Sequence, residues 1–321
     1  MMDWLQASLG LVILLFAGDS LVRGAVNLSL RLGIPAMIVS LTIVAFGTSA
    51  PELLIAISAV LEGAPGLALG NVVGSNTANI LLVLGIPAII SGLHCSSGDT
   101  VRNYAIMIGV TLAFVAMCFI GPISWIDGII LLLALSLMIL DQVRRARQYR
   151  RNAATNTGDS DDDLEDVEGA DPAMRGWKVA LFLVLGLIGL PLGAQLLVES
   201  GVRIATDFGV SDTVIGLTLI AVGTSLPELA TTVMAALRRN ADVALGNVLG
   251  SNIFNLLAII GVTSLVAPIP VDPAFLRVDL WVMVASSLLL APFVLLGWTL
   301  TRLAGIIFTA LYFVYIGFLL F

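Results

Sequence analysis

The chain has 321 residues, 59% of them hydrophobic and 12% charged, with a formal net charge of −7 and a mean hydropathy of +1.05. A soluble domain carries about a quarter charged residues, so this composition excludes a soluble globular fold. It points to an all-α membrane protein, since in hydrocarbon a helix satisfies every backbone polar group within one segment.

In chain order the apolar runs predict ten transmembrane helices, at roughly 5–29, 36–61, 67–92, 103–121, 124–143, 177–201, 212–237, 242–267, 278–297 and 301–320. The first stretch, MMDWLQASLGLVILLF, has an acid and no basic residue before its apolar run, so it reads as a span rather than a signal peptide. The first and sixth runs are long, and tilt is expected there. Asp19 and Glu199 lie in these two runs. We read both as facing headgroups near a span end; lining an access route is the other reading. Glu62 and Arg238 read as solvated loop ends. His94 sits beside Cys95 after the third span. Without further ligands such a pair reads as structural rather than metal-binding, and the two cysteines, Cys95 and Cys118, are too few for a disulfide framework.

Between the fifth and sixth spans lies DQVRRARQYRRNAATNTGDSDDDLEDVEGADPAMRG, basic at first and then densely acidic. Such a segment buries too little apolar surface to fold alone, so the predicted organisation is a first five-helix half at 1–143, a flexible linker at 144–176 and a second five-helix half at 177–321. Asp159, Asp161 and Asp163 have the spacing that opens a calcium loop, but Leu164 stands where the turn glycine belongs and Ala170 where the bidentate glutamate belongs. A solvated charge run is the better reading. When the connections are numbered alternately, thirteen Lys and Arg residues gather on one side of the membrane, from Arg23 and Arg31 to Arg302, against Arg203 and Arg277 on the other. The positive-inside rule then makes the linker cytoplasmic and both termini external.

GTSAPE at 47–52 and GTSLPE at 223–228 recur at a constant offset of 176, and across 47–85 and 223–261 nineteen of 39 positions are identical without a gap. Helix packing would preserve apolar class, whereas here Gly, Thr, Ser, Pro, Glu and Asn are preserved. Five spans per half means that the second half enters from the opposite side, which predicts inverted repeats with two nearly equivalent conformations. Pro51 and Pro227 have no N–H to donate one turn back, so the helices should kink or unwind there and free carbonyls. Glu52 and Glu228 follow, each costing at least ~2.5 kcal/mol at mid-bilayer. A hard cation held between two carboxylates, freed carbonyls and the hydroxyls of Thr48, Ser49, Thr224 and Ser225 offsets both costs, and oxygen-only ligation suits calcium. The motifs hold no His or Cys, which argues against zinc and copper. GNVVGSNTAN and GNVLGSNIFN on the third and eighth spans add GxxxG steps for close packing, and they place Ser75 with Asn79, and Ser251 with Asn255, on shared helix faces that can turn toward the carboxylates.

These paired motifs resemble the two alpha repeats of the sodium/calcium exchangers, prokaryotic type, in the cation/calcium antiporter superfamily. The resemblance implies that Glu52 and Glu228 are the central calcium ligands, joined by the carbonyls of Thr48 and Thr224. It places sodium at Ser49, Ser225, Ser75 and Ser251 and at the carbonyls of Ala45 and Ala221, with Asn79 and Asn255 in the same cluster. Potassium-dependent relatives have Asp at one of these last positions; this chain has Asn at both, which argues against a potassium site. The expected function is a secondary antiporter that exchanges Na⁺ for Ca²⁺ by alternating access and normally extrudes Ca²⁺. The alternative is an H⁺/Ca²⁺ antiporter of the same superfamily, which carries a GNATE-like string in place of the first motif. A cation channel is a different class, against which the inverted halves argue. No His-centred acid–base set or nucleophile–base pair is legible, so an enzyme is not expected. Beyond the ions Ca²⁺ and Na⁺ and the lipid bilayer, no cofactor, nucleic acid or protein partner is implied.

Overall fold

The computed structural model describes residues 2–94, 98–155, 170–171, 173–209 and 221–320. Within them, helices dominate: α1 Met2–Leu32, α2 Ala36–Thr48, α3 Ala50–Leu61, α4 Pro65–Ser91, α5 Gly98–Ile120, α6 Trp125–Thr155, α7 Gly176–Asp207, α8 Ala221–Gly223, α9 Leu226–Leu237, α10 Ala241–Val266, α11 Phe275–Leu295 and α12 Arg302–Leu320. Eight are long and apolar enough to cross a membrane, or nine when α2 and α3, bent by 41° at Ser49, are taken as one span. The chain is therefore a predominantly helical, multi-pass membrane protein. Of the ten expected spans, the seventh begins outside the described residues; its described part is α8 and α9.

Burial sorts these helices into a centre and a periphery. In the apolar windows of α4 and α10, 78% and 89% of residues are buried, against 33% in α1 and 22% in α7. The two central helices carry the GxxxGSNxxN segments, so the polar motifs occupy the middle of the molecule rather than its lipid face. Helices α1 and α7 lie against each other along small residues: a Cβ on Gly10 would sit 2.9 Å from the Gly193 carbonyl, and one on Gly193 would sit 3.0 Å from the Gly10 carbonyl. Only glycine at both positions allows that approach.

One local feature differs from the sequence reading. Helix α6 runs on to Thr155, about one and a half turns beyond Arg150 and into the stretch assigned to a flexible linker. Arg145 pairs with Asp141 one turn earlier and with Asp99 of α5 at 2.8 Å, and the Tyr149 hydroxyl donates to Asp99 at 2.7 Å. These bonds extend the helix past the apolar run. The acidic run with Asp159, Asp161 and Asp163 lies outside the described residues. His94 belongs to a two-stranded ribbon, β1 Leu93–His94 paired with β2 Thr299–Leu300, and its Nδ1 lies 2.8 Å from the Thr299 hydroxyl. Cys95 is outside the described residues, while Cys118 is a buried free thiol.

Candidate cation site

Both PE motifs fold the same way. Helix α2 stops at Thr48, Ser49 takes φ −86° and ψ 4°, and α3 begins at Ala50 with Pro51 in its first turn. Ser225 takes φ −89° and ψ 5°, and α9 begins at Leu226 with Pro227 in its first turn. At a helix start the missing proline N–H is harmless. The break also puts Glu52 and Glu228 in the first turns of α3 and α9, where the partial positive charge of the free N–H groups favours a carboxylate. The expected kink is thus realised as a clean break, with each glutamate at the positive end of the new helix.

The two side chains are buried, with relative exposures of 2% for Glu52 and 1% for Glu228, and they lie close enough for their charges to interact. The Ser49 hydroxyl crosses between halves to donate to Glu228 Oε1 at 3.3 Å. Thr48 Oγ1 lies 3.3 Å from the Ala45 carbonyl, 3.3 Å from Asn247 Oδ1 and 3.4 Å from Ser251 Oγ. That Ala45 carbonyl, a candidate sodium ligand, also accepts the Ser49 N–H at 3.0 Å. Thr224 and Ser75 line a cavity described below. Ala221 is placed by its backbone alone, at the start of α8.

Asn79 and Asn255 join a reciprocal network that the sequence reading missed in part. Asn76 Nδ2 donates to the Asn252 carbonyl at 3.2 Å, and Asn252 Nδ2 returns a bond to the Asn76 carbonyl at 3.3 Å. Asn79 Nδ2 reaches Asn252 Oδ1 at 3.0 Å, while Asn255 Nδ2 reaches Asn76 Oδ1 at 2.9 Å. Each bond has a counterpart 176 residues away. The signal was present: Asn76 and Asn252 are identical between repeats and three residues from the asparagines already singled out, hence on the same helix face. Asn79 and Asn255 each also open a π-helical turn, Asn79–Val83 and Asn255–Ile259, a feature common at functional sites.

Five side-chain oxygens of the two motifs remain unpaired. Glu52 Oε2, Glu228 Oε2, Asn79 Oδ1, Asn255 Oδ1 and Ser225 Oγ are buried and make no hydrogen bond. Four of the five are acceptors with no proton of their own to give. Buried acceptors left open cost ~1–3 kcal/mol each, more when charged, and a hard cation satisfies several at once. No group of three or more His, Cys, Asp or Glu occurs among the described residues; the oxygens here come from carboxylates, amides and hydroxyls together.

The repeats differ in surroundings. Along α10 the GxxxG face is sealed: a Cβ on Gly250 would lie 2.6 Å from the Leu41 carbonyl. Along α4 the equivalent Gly70 and Gly74 have no described atom within 4 Å of such a Cβ. Among the described residues a cavity of about 530 Å³ is bordered there by Asn71, Ser75, Thr224, Asp279 and Tyr315; the equivalents of the residues that close the α10 face, 213–220, lie outside the described residues. Asp19 corrects an expectation: instead of facing headgroups it is paired with Arg23 at 2.9 Å and with Arg238 of α9, and Arg238 is likewise no solvated end. Glu199 is exposed.

Fold and site together define a multi-pass helical membrane transporter with a buried, oxygen-lined, dicarboxylate centre. The family described as sodium/calcium exchanger protein matches residues 3–143 and 178–321. A putative antiporter, CaxA of Alkalimonas amylolytica, is 39% identical over 283 residues, 88% of this chain and 86% of that protein. The sodium/calcium exchanger MaX1 of Methanosarcina acetivorans is 32% identical over 336 residues, covering 97% of this chain and 96% of its own. A solved structure of the sodium-calcium exchanger NCX_Mj, soaked with Na⁺ and Sr²⁺, superposes with a TM-score of 0.82 at 32% identity and covers 99% of this chain and 98% of that one. The chain belongs to the sodium/calcium exchanger family.

Proposed function

We propose that this protein exchanges Na⁺ for Ca²⁺ by alternating access and normally extrudes Ca²⁺. It does so as ten spans in two inverted five-helix halves, 1–143 and 177–321, with the 144–176 segment on the cytoplasmic side of a prokaryotic cell membrane and both termini outside. The observation that carries this reading is the set of unpaired buried oxygens on Glu52, Glu228, Asn79 and Asn255, contributed in equivalent pairs by the two repeats. Glu52 and Glu228 are the central calcium ligands, with the carbonyls of Thr48 and Thr224. Sodium is held around them by Ser49, Ser225, Ser75, Ser251 and the carbonyls of Ala45 and Ala221. The relatives named sodium/calcium exchanger, and the structure soaked with Na⁺ and Sr²⁺, support these ions as the substrates.

Charge explains the coupling. Two carboxylates carry −2, which one Ca²⁺ or two Na⁺ neutralise. An empty centre keeps both charges in a low-dielectric interior, where isolated charge is expensive, so the empty carrier switches slowly and only loaded forms cross. The test is uptake into proteoliposomes preloaded with sodium. External calcium should enter only while the sodium gradient lasts, and Glu52→Gln or Glu228→Gln should reduce uptake to background. Uptake driven by a pH gradient and indifferent to sodium would replace this reading with proton/calcium exchange; conductance without counterflow would replace it with a channel.

A further inference from the structure

Thr48 Oγ1 carries one proton and has three oxygens within 3.4 Å: the Ala45 carbonyl, Asn247 Oδ1 and Ser251 Oγ. The Glu228 carboxylate lies within its reach as well. The Ala45 carbonyl already accepts the Ser49 N–H at 3.0 Å, so its second lone pair is the one at stake. Ala45 and Ser251 are proposed sodium ligands above. A Thr48 proton aimed at either one covers a lone pair that a cation would use.

Asn247 sets the direction from the far side. It is fully buried, as is Thr232 of α9. Its Nδ2 lies 3.2 Å from Thr232 Oγ1 and 3.4 Å from the Glu228 main-chain carbonyl. Thr232 Oγ1 gives its own proton to that same carbonyl at 2.7 Å, so it meets Asn247 with lone pairs alone. Two acceptors on one side of the amide require its NH2 group there, which turns Oδ1 toward Thr48. The offset of 176 pairs Asn247 with Asn71 but Thr232 with Ala56. The hydroxyl that holds the amide therefore belongs to the second half alone.

We infer that Thr232 and Asn247 are positioning residues for sodium. They fix a one-way chain of hydrogen bonds, from Ser251 to Thr48 to Asn247 to Thr232 to the Glu228 carbonyl, that leaves Ala45 and Ser251 to present bare lone pairs to Na⁺. This rests on the sodium ligands proposed above. Hydrogen bonds in a chain polarise one another, so holding one end orders the rest. A cation on the Glu228 carboxylate occupies that acceptor and repels the Thr48 proton, which strengthens its turn toward Asn247. Neither residue gives a lone pair to the ion: Thr232 bonds the main-chain carbonyl of Glu228, and Asn247 spends its oxygen on Thr48.

The test is equilibrium binding of radiolabelled calcium to the purified full-length protein in detergent, and its displacement by sodium chloride at ionic strength held constant with choline chloride. Thr232→Val keeps the shape and removes the hydroxyl, whereas Thr232→Ser keeps the hydroxyl. Thr232→Val should raise the sodium concentration that displaces half the calcium by roughly fivefold, the net worth of one buried hydrogen bond. Its calcium affinity in sodium-free buffer should stay within about twofold of the parent, and Thr232→Ser should stay within about twofold for both ions. A packing role would weaken both ions together. The inference is overturned if Thr232→Val leaves the half-displacing sodium within about twofold of the parent, weakens both ions alike, or is matched by Thr232→Ser. Should Thr232→Val not fold, Asn247→Ala, which withdraws the acceptor from Thr48, is held to the same sodium-selective shift. The two readings fail distinguishably. A parent whose calcium is not displaced by sodium ends the sodium/calcium proposal and the inference with it; a displaced parent beside an unmoved Thr232→Val ends the inference alone.

Discussion

Asn252 shows how little of the site's wiring depends on charge. It holds Asn76 through its Nδ2 and Asn79 through its Oδ1, so Asn252→Ala strands the Asn79 amide in a buried place. One stranded donor costs about 1–3 kcal/mol. The expected outcome is a lower melting temperature together with weaker calcium binding by isothermal titration, because the Asn79 oxygen is no longer aimed; unchanged values for both would contradict the network's role. Asp279 makes a different case. It is the only carboxylate among the described residues that border the cavity, and it accepts the Tyr315 hydroxyl at 2.8 Å. A single charge at the mouth of a cleft raises the local cation concentration. Asp279→Asn should raise the calcium concentration for half-maximal uptake about threefold in dilute buffer, with the maximal rate intact. Salt near 0.1 M, where the screening length is about 10 Å, should erase most of the difference.

The elements explain why two costly prolines were retained. Pro51 and Pro227 occupy helix starts, where the residue is at ease, and the break they enforce aims two helix N-termini at two carboxylates. This much was legible in the sequence, since proline position and glutamate depth obey local rules. The use of the glycines was only half legible. GxxxG predicts close approach, and the α10 copy is packed against Met37, Ser40, Leu41 and Ala45; for the α4 copy the equivalent segment, 213–220, lies outside the described residues. Gly250→Leu drives side-chain atoms into the Leu41 carbonyl. Gly250→Leu should therefore lower the melting temperature by several degrees, as overpacking against backbone does. An unchanged melting temperature would argue against the close approach at Gly250. The extension of α6 to Thr155 and the Asp19–Arg238 pair were not legible, because both depend on partners more than 40 residues away in the chain.

At the scale of the whole molecule, the buried centre links stability to its cargo. Without cations the fold holds two neighbouring carboxylates out of water, with an open oxygen on each; this opposes folding through desolvation and mutual repulsion. A cation that binds only the folded chain reverses the sign, stabilising it by RT ln(1 + [L]/Kd), or about 2.7 kcal/mol at a hundredfold excess over Kd. The double variant Glu52→Gln with Glu228→Gln removes both effects together. In chelator, with sodium absent, it should melt above the parent, because neutral amides are cheaper to bury than unpaired carboxylates. In saturating calcium the order should invert, the parent rising by several degrees and the variant staying where it was. Crossing of the two melting curves between chelator and calcium is a signature that a plain packing defect cannot produce, since such a defect lowers the variant in both buffers alike. If the variant melts below the parent by the same margin with and without calcium, the two glutamates serve the fold rather than the ion, and the functional reading built on their open oxygens fails with them.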